Sequence, residues 1–468
     1  MNAQERLVAL IEEKRNDFIR VSDQIWQFAE TGFEEYKSAE LLCETLEEEG
    51  FSVEKGVANI ETAFIGSYGS GKPIIAFLGE FDALTGLSQS GGLAEQQAIE
   101  KGGNGHGCGH NLLGTGSLAS AVALRYYMEE NNIEGTIRYY GCPGEEIGGG
   151  KTFMVREGVF DDVDVAFTWH PGTTNNIMSA ETLACYEVYF KFKGKSAHAA
   201  GSPHLGRSAL DAIELMNVGV NYLREHIIPE ARVHYAITNS GGYSPNVVQA
   251  EGEVLYFIRA PRVSQTRDIY ERVCNIAKGA ALMTETEVTI DLASALSDIV
   301  PNTTLEKVMY DTLESIGVPQ YSEEEINFAK SIRSTLSEAD KLFEIQKNKE
   351  LAGKELSDVI EPFTPAVFMP ISSDVGDVSW VVPTAQCMTA CEPLGTPFHT
   401  WQMVATGTSS LAHKGMLHAA KIMARTALEV LQSPQLIDRA KQELIQRKGG
   451  EEYISPLPAD IKEYKVRI

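Results

Sequence analysis

Gly105-His106-Gly107-Cys108-Gly109-His110-Asn111 packs one thiol and two imidazoles into a short run, with glycines between them. The residues that follow, Leu112 to Met128, are largely small and apolar and read as a helix. A Gly-rich loop before a helix can turn tightly, so Cys108 and His110 can point at one place. Thiolate and neutral imidazole both suit zinc-like ions, and an i, i+2 pair on a loop can reach one metal. The competing reading is a Gly-rich turn with a buried cysteine and a capping histidine. The density of the cluster, and the ligand-type residues downstream, favour the metal.

Working outward, three strand ends present such residues. Pro73-Ile74-Ile75-Ala76-Phe77-Leu78-Gly79 is a continuous apolar run, typical of a strand buried on both faces of a parallel sheet. It ends at Glu80-Phe81-Asp82, and in open α/β sheets the C-terminal strand ends carry the ligand crevice. On this ground alone a solvated loop edge remains an equal reading. Gly135–Cys142 is a second strand, running into Pro143-Gly144-Glu145-Glu146-Ile147-Gly148-Gly149-Gly150. Adjacent carboxylates usually form a solvated face, but this backbone is shaped for close approach. One carboxylate on a metal, with its neighbour taking a proton from water, is the chemistry such a pair serves. A third strand, Val163–Trp169, delivers His170-Pro171-Gly172.

These strands belong to a catalytic α/β domain in two parts, residues 1–182 and 297–468, around a mixed, mostly parallel sheet with helices on both faces. Residues 3–30 and 37–49 have helical periodicity. Residues 183–296 read as a separate α+β unit: strand (184–194), helix (206–224), strands (232–240 and 246–260), helix (264–283) and strand (285–292). Ser264 is a plausible N-cap of the second helix. This βαββαβ order predicts a ferredoxin-like sandwich, whose sheet edges and helices offer a route to dimers. After Pro301 the helical pattern returns, and 320–360 is a charged, helix-prone insertion. Residues 372–377 and 395–401 read as polar loops, the second carrying His399. A strand at 386–390 and helices at 407–432 and 435–447 complete the chain.

The formal charge of −25, from 40 basic and 65 acidic residues, disfavours nucleic acid and anionic membranes as partners. No stretch is apolar enough to span a bilayer, and the start has no apolar signal segment. Seven scattered cysteines argue against a disulfide framework, so the expected location is the cytoplasm.

Taken together, the Gly-His-Gly-Cys-Gly-His-Asn loop, Glu145-Glu146, Trp169-His170-Pro171, Gly194-Lys195-Ser196-Ala197-His198-Ala199-Ala200 and Phe398-His399-Thr400 resemble the M20 metallopeptidases. The resemblance runs over nearly the whole chain. It is nearest to the amidohydrolase branch that includes aminobenzoyl-glutamate hydrolases and related cytosolic dipeptidases. It implies that Cys108, His110, Glu146, His170 and His399 are metal ligands, holding two divalent ions per subunit, Mn²⁺ or Zn²⁺. It implies Glu145 as general base and Asp82 as the carboxylate supporting the metal site. His198, on a lid and dimerisation domain, would reach a partner's active site and stabilise the oxyanion, with His204 a rival for that role. Asn246 and Arg259 would hold the substrate's carbonyl and carboxylate. Three features depart from the pattern: Glu80 stands where other branches place a metal histidine, the Cys108 thiolate replaces an all-oxygen-and-nitrogen ligand shell, and Asn111 stands where Asp is more usual.

The expected activity is hydrolysis of the amide bond of a small N-acyl amino acid, aminobenzoyl-glutamate-like, in a homodimer or a heterodimer with a homologous subunit. A dipeptidase for dipeptides with a basic residue is the alternative substrate reading. A Cys108 nucleophile with His106 or His110 as base, a non-catalytic binding protein and a closed structural zinc site are the competing chemistries.

Overall fold

A computed structural model describes residues 3–459 and 461. Helices α1 (Ala3–Glu13), α2 (Arg15–Phe28) and α3 (Tyr36–Glu48) lead to strands β1 (Ser52–Lys55), β2 (Phe64–Ser70) and β3 (Ile74–Glu80). Then come α4 (His110–Asn131), β4 (Gly135–Cys142), α5 (Gly150–Arg156), β5 (Val165–Gly172) and β6 (Asn176–Ile177). A middle stretch holds β7 (Ala184–Lys193), α6 (Ala209–Leu223), β8 (Arg232–Asn239), β9 (Glu251–Ala260), α7 (Val263–Thr284) and β10 (Glu287–Leu296). The chain continues with α8 (Thr303–Ile316), α9 (Glu323–Ser334), α10 (Glu338–Lys347), α11 (Val375–Val381), β11 (Thr384–Ala390), α12 (Trp401–Thr406), α13 (Ser410–Leu431) and α14 (Pro434–Lys448).

Two compact units result. The first comprises the described residues up to Ala180, Val300–Val367 and Val378–Tyr453; the second is built on Glu181–Ile299 with Phe368–Asp377. In the first, a seven-stranded sheet runs β1-β2-β4-β3-β5-β11-β6. Its centre, β4-β3-β5-β11, is parallel, and the outer strands pair antiparallel. Every residue of β3 is buried, as its unbroken apolar run requires of a strand covered on both sides. Helix α4 packs on this centre and against α13, with Leu112, Leu113, Leu118 and Leu124 in one core. Each such leucine contributes about 1.5–3 kcal/mol by leaving water. Gly116 allows the approach: a Cβ there would lie 2.8 Å from the indole of Trp169, whose Nε1–H donates to Leu113 O at 3.0 Å. That docking brings the N-terminus of α4, and therefore His110, to the C-terminal ends of the parallel strands.

The second unit follows the order β7-α6-β8-β9-α7-β10 and forms a four-stranded sheet, β10-β7-β9-β8, with every neighbouring pair antiparallel. Burial alternates residue by residue along β9, the pattern of a strand with one covered face. Ser208 caps α6 by accepting the Asp211 N–H.

Local readings of the sequence fail in identifiable places. The 3–30 periodicity is broken at Lys14 into two helices. Helix α7 starts at Val263 behind an extended Arg262, so Ser264 lies inside the helix and is not its cap. Strand β9 begins only at Glu251, which leaves Asn246 in the preceding turn. The expected loops at 372–377 and 395–401 each run into a helix, Val375–Val381 and Trp401–Thr406. Strands β1 and β2, polar and containing Gly66 and Gly69, carry little apolar period to detect.

Candidate metal centre and active site

Each parallel strand of the first unit brings a polar group to the same end of the sheet. Strand β3 ends on Glu80, with Asp82 two residues on; β4 leads into Glu145 and Glu146; His170 lies near the end of β5. His399 follows β11, on the loop before α12, with a left-handed φ of 60°. Its backbone N–H donates to Gly107 O at 2.8 Å, tying that loop to the Cys108 loop. Gly109 supplies the turn before α4 with φ 73°, and a Cβ there would meet Pro171 Cγ at 2.8 Å. The Gly-rich run is therefore shaped to bring Cys108 and His110 against the β5 end.

The side chains converge. Cys108 Sγ lies 3.5 Å from His170 Nε2, and His399 Nε2 lies 3.4 Å from Glu146 Oε2. Three donor groups have atoms within 4.8 Å of one another: Cys108–His110–His170, Cys108–Glu146–His399 and Glu80–His110–Glu145. Cys108 is common to the first two. His170 Nδ1 pairs with Pro171 O at 2.7 Å, which leaves the Nε2 lone pair for the cluster.

Asp82 supports both halves. Its Oδ1 is 2.8 Å from His110 Nδ1, and its Oδ2 accepts the Glu146 N–H at 2.9 Å. His110 therefore presents Nε2 inward. That atom is 3.2 Å from Glu80 Oε2 but makes no hydrogen bond, and Glu146 Oε1 is likewise buried and unbonded. Buried polar atoms are rarely left so. An orphaned imidazole nitrogen and an orphaned carboxylate oxygen, set among sulfur, imidazole and carboxylate groups, suit a divalent cation.

Electrostatics agree. Burial opposes ionisation of Glu146, but His399 and His110 outweigh it and hold the carboxyl down to about 2. Burial pushes the Cys108 thiol well up, helped by Glu146, so it becomes a thiolate only with strong positive charge beside it. Burial and His110 lower His170, keeping that ring neutral. His106 points elsewhere: its Nε2 pairs with Ile25 O at 3.0 Å, and burial lowers it to about 3. Asn111 also turns away, donating to Ser22 Oγ at 3.0 Å and Gly407 O at 3.3 Å, so its lack of charge does not touch the cluster.

Two participants escape a reading of the sequence. Lys151, wholly buried, places Nζ 2.7 Å from Glu80 Oε1. Its signal was position alone, directly after the Gly triplet at the start of a short helix. Glu35, also wholly buried, accepts the Gly144 N–H at 2.8 Å and the Thr62 hydroxyl at 3.1 Å, so it anchors the loop of Glu145 and Glu146. Burial, then Asp82, pushes Glu35 up to about 8. In sequence, Glu34-Glu35 looks like any solvated acidic pair.

His198, Asn246 and Arg259 belong to the second unit. The Ala199 N–H donates to Asn246 O at 2.9 Å, which sets the His198 and Asn246 segments side by side. His198 is exposed, and its Nδ1 accepts the backbone N–H groups of Ala200 and Gly201 at 3.2 and 3.0 Å. The proton of the neutral ring is thus placed on Nε2. Arg259, on β9, reaches Ser372 Oγ at 3.4 Å, while its Nε is buried without a hydrogen bond. His204 is exposed on a short 3₁₀ turn, Pro203–Leu205.

A family model, Peptidase family M20/M25/M40, matches residues 76–390, from β3 to β11. The chain belongs to this family. Within the M20/M25/M40 family it is 50% identical over 464 residues to a p-aminobenzoyl-glutamate hydrolase subunit of Escherichia coli K12, covering 96% of each chain. It is 28% identical over 458 residues to the mouse Xaa-Arg dipeptidase, covering 94% of this chain and 91% of the relative. A solved structure, the aminobenzoyl-glutamate utilization protein from Klebsiella pneumoniae, shares the fold with a TM-score of 0.61 at 17% identity, covering 92% and 99%. This M20/M25/M40 member is a metal-dependent hydrolase, and its donor cluster is what such an enzyme needs. No described helix is long and apolar enough to cross a membrane, and all seven cysteines are buried and outside any disulfide.

Proposed function

We propose that the protein hydrolyses the amide bond of a small N-acyl amino acid of the aminobenzoyl-glutamate class. The observation that carries this is the convergence of Cys108, His110, Glu146, His170 and His399, with Glu145 beside them, at the ends of four parallel strands. The substrate class rests on the 50% identity to a hydrolase of that name over nearly all of both chains.

In this reading Cys108, His110, Glu146, His170 and His399 would hold two divalent cations. Bound there, the cations supply Lewis acidity that polarises the scissile carbonyl and acidifies water. Glu145 takes the attacking water's proton and delivers it to the leaving amine nitrogen. Asp82 orients His110 and holds the Glu146 backbone. The second unit is a ferredoxin-like lid, corresponding to the expected 183–296 domain. His198 donates from Nε2 to the developing oxyanion of a neighbouring subunit, a donor typically worth about 3 kcal/mol. Asn246 holds the carbonyl, and Arg259 selects the substrate carboxylate by bidentate pairing.

Assembly is supported by the second unit's surface. Helix α6 exposes Leu215, Val218 and Tyr222 at helical spacing, and edge strand β8 exposes Tyr235 and Ile237. A second copy or a homologous companion would cover them. The Escherichia coli relative is named as one subunit of its hydrolase, which favours a companion.

The deciding experiment purifies the full chain, alone and with a homologous subunit. It measures metal content and assays aminobenzoyl-glutamate beside a panel of N-acyl amino acids and Xaa-Arg dipeptides. Turnover lost in EDTA and regained with Mn²⁺ or Zn²⁺, greatest on the N-acyl glutamate, is the expected result. Preference for Xaa-Arg would move the substrate to the dipeptidase reading that the 28% relative offers. Activity that survives chelation but not iodoacetamide would instead make Cys108 a nucleophile.

A further inference from the structure

His110 has one inward lone pair and two claims upon it. Its Nδ1 is taken by Asp82, so only Nε2 can meet a cation. His110 belongs both to the Cys108–His110–His170 group and to the Glu80–His110–Glu145 group. The two are alternatives with different consequences. In the first, Glu145 stays outside the ligand set and can act as the base. In the second, Glu145 is itself a ligand, and the chain loses its base.

Lys151 stands on one side of this choice. Its ammonium is fully buried on α5 and pairs with Glu80 Oε1 at 2.7 Å, while Glu80 Oε2 is the oxygen that faces His110. A divalent cation between Glu80 and His110 would sit one carboxylate away from a fixed positive charge, in a site with little water to screen it. The carboxylate is also compensated already, so it has less to offer a second cation. Beside Cys108 the neighbouring groups are the imidazoles of His110, His170 and His399 and the Glu146 carboxylate. The charge pattern thus favours the Cys108 side.

We propose that Lys151 is a positioning residue: it withholds Glu80 from metal coordination, directs His110 to the Cys108–His170 group, and so keeps Glu145 as the base. This rests on the metallohydrolase reading above. It also accounts for an acidic residue at position 80 that faces the cluster yet is neutralised from behind.

The test is cobalt substitution of the full-length protein, followed by its absorption spectrum and cobalt stoichiometry. Coordination by Cys108 gives a thiolate-to-cobalt charge-transfer band, which reports the ligand set without any turnover. In Lys151→Met the band per bound cobalt should fall by half or more, as cobalt moves towards Glu80 and Glu145. In the double variant Lys151→Met/Glu80→Gln, which removes both charges, the band and stoichiometry should return to wild-type values. Lys151→Arg should keep them throughout. An unchanged band in Lys151→Met, or a double variant that loses a cobalt, overturns the proposal. Should Lys151→Met not fold, the double variant alone decides: wild-type band and stoichiometry support the proposal, and a lost cobalt overturns it. A wild-type protein that binds cobalt without any thiolate band would defeat the underlying metal reading instead, so the two failures are distinguishable.

Discussion

Asp82 and His110 are joined by a 2.8 Å contact between Oδ1 and Nδ1, deep in the first unit, and it decides which nitrogen of His110 faces the cluster. The other Asp82 oxygen holds the Glu146 N–H at 2.9 Å, so one carboxylate aligns a ligand from the α4 start and a ligand from the β4 end.

Replacing Asp82 by Asn removes the charge and leaves the shape. Outer partners of metal histidines are typically worth roughly 10–100-fold in affinity. Asp82→Asn should lose cations by that factor in equilibrium dialysis while its far-UV circular dichroism stays native. Wild-type affinity would show that His110 needs no orienting partner.

Glu145→Gln should retain both cations by elemental analysis and lose turnover by about 10²–10⁴-fold, the range for general base catalysis. Normal turnover in that variant would take the base role from Glu145.

His198→Ala should leave metal content unchanged and lower kcat about 100-fold, the equivalent of one oxyanion donor. Mixing it with Glu145→Gln subunits should restore part of the activity if the histidine serves a neighbour's site. A rate equal to wild type would transfer the role to His204 or remove it.

Glu306 offers a test of pH dependence away from the cluster. Burial pushes it up to about 7, although it accepts the Ser179 hydroxyl and the Asn302 N–H. Between its ordinary value of 4.5 and about 7, the folded chain holds a proton that the unfolded chain releases. Stability therefore falls as pH rises through that window, by on the order of 3 kcal/mol across it. Glu306→Gln should flatten this slope, measured as Tm between pH 5 and 8 by calorimetry. Parallel slopes for the two proteins would mean that Glu306 is ionised when folded.

Much of the architecture was legible because it rests on local signals. The unbroken apolar run of β3, the small-residue face of α4 and the strand ends at Glu145-Glu146 and His170 are patterns that short segments impose by themselves. The run of glycines before α4 announced a tight turn, and Gly109 makes one. Where the signal was weak or one-sided, the structure departs from it. Polar β1 and β2 carry no apolar alternation to read, and Ser264, a good capping residue, falls inside α7 because the backbone is extended only as far as Arg262.

The amino-acid order alone determined which side chains could ligate, which backbone could turn, and the central strands and helix that carry them. It could not say that His110 offers Nε2, that Lys151 occupies Glu80, or that a fully buried Glu35 grips the Gly144 backbone. Those facts depend on contacts between residues 28, 71 and 109 places apart, and burial gives them their strength. A lysine or glutamate has the same chemistry anywhere in a chain; only the packed interior, by removing water, ties it to particular partners.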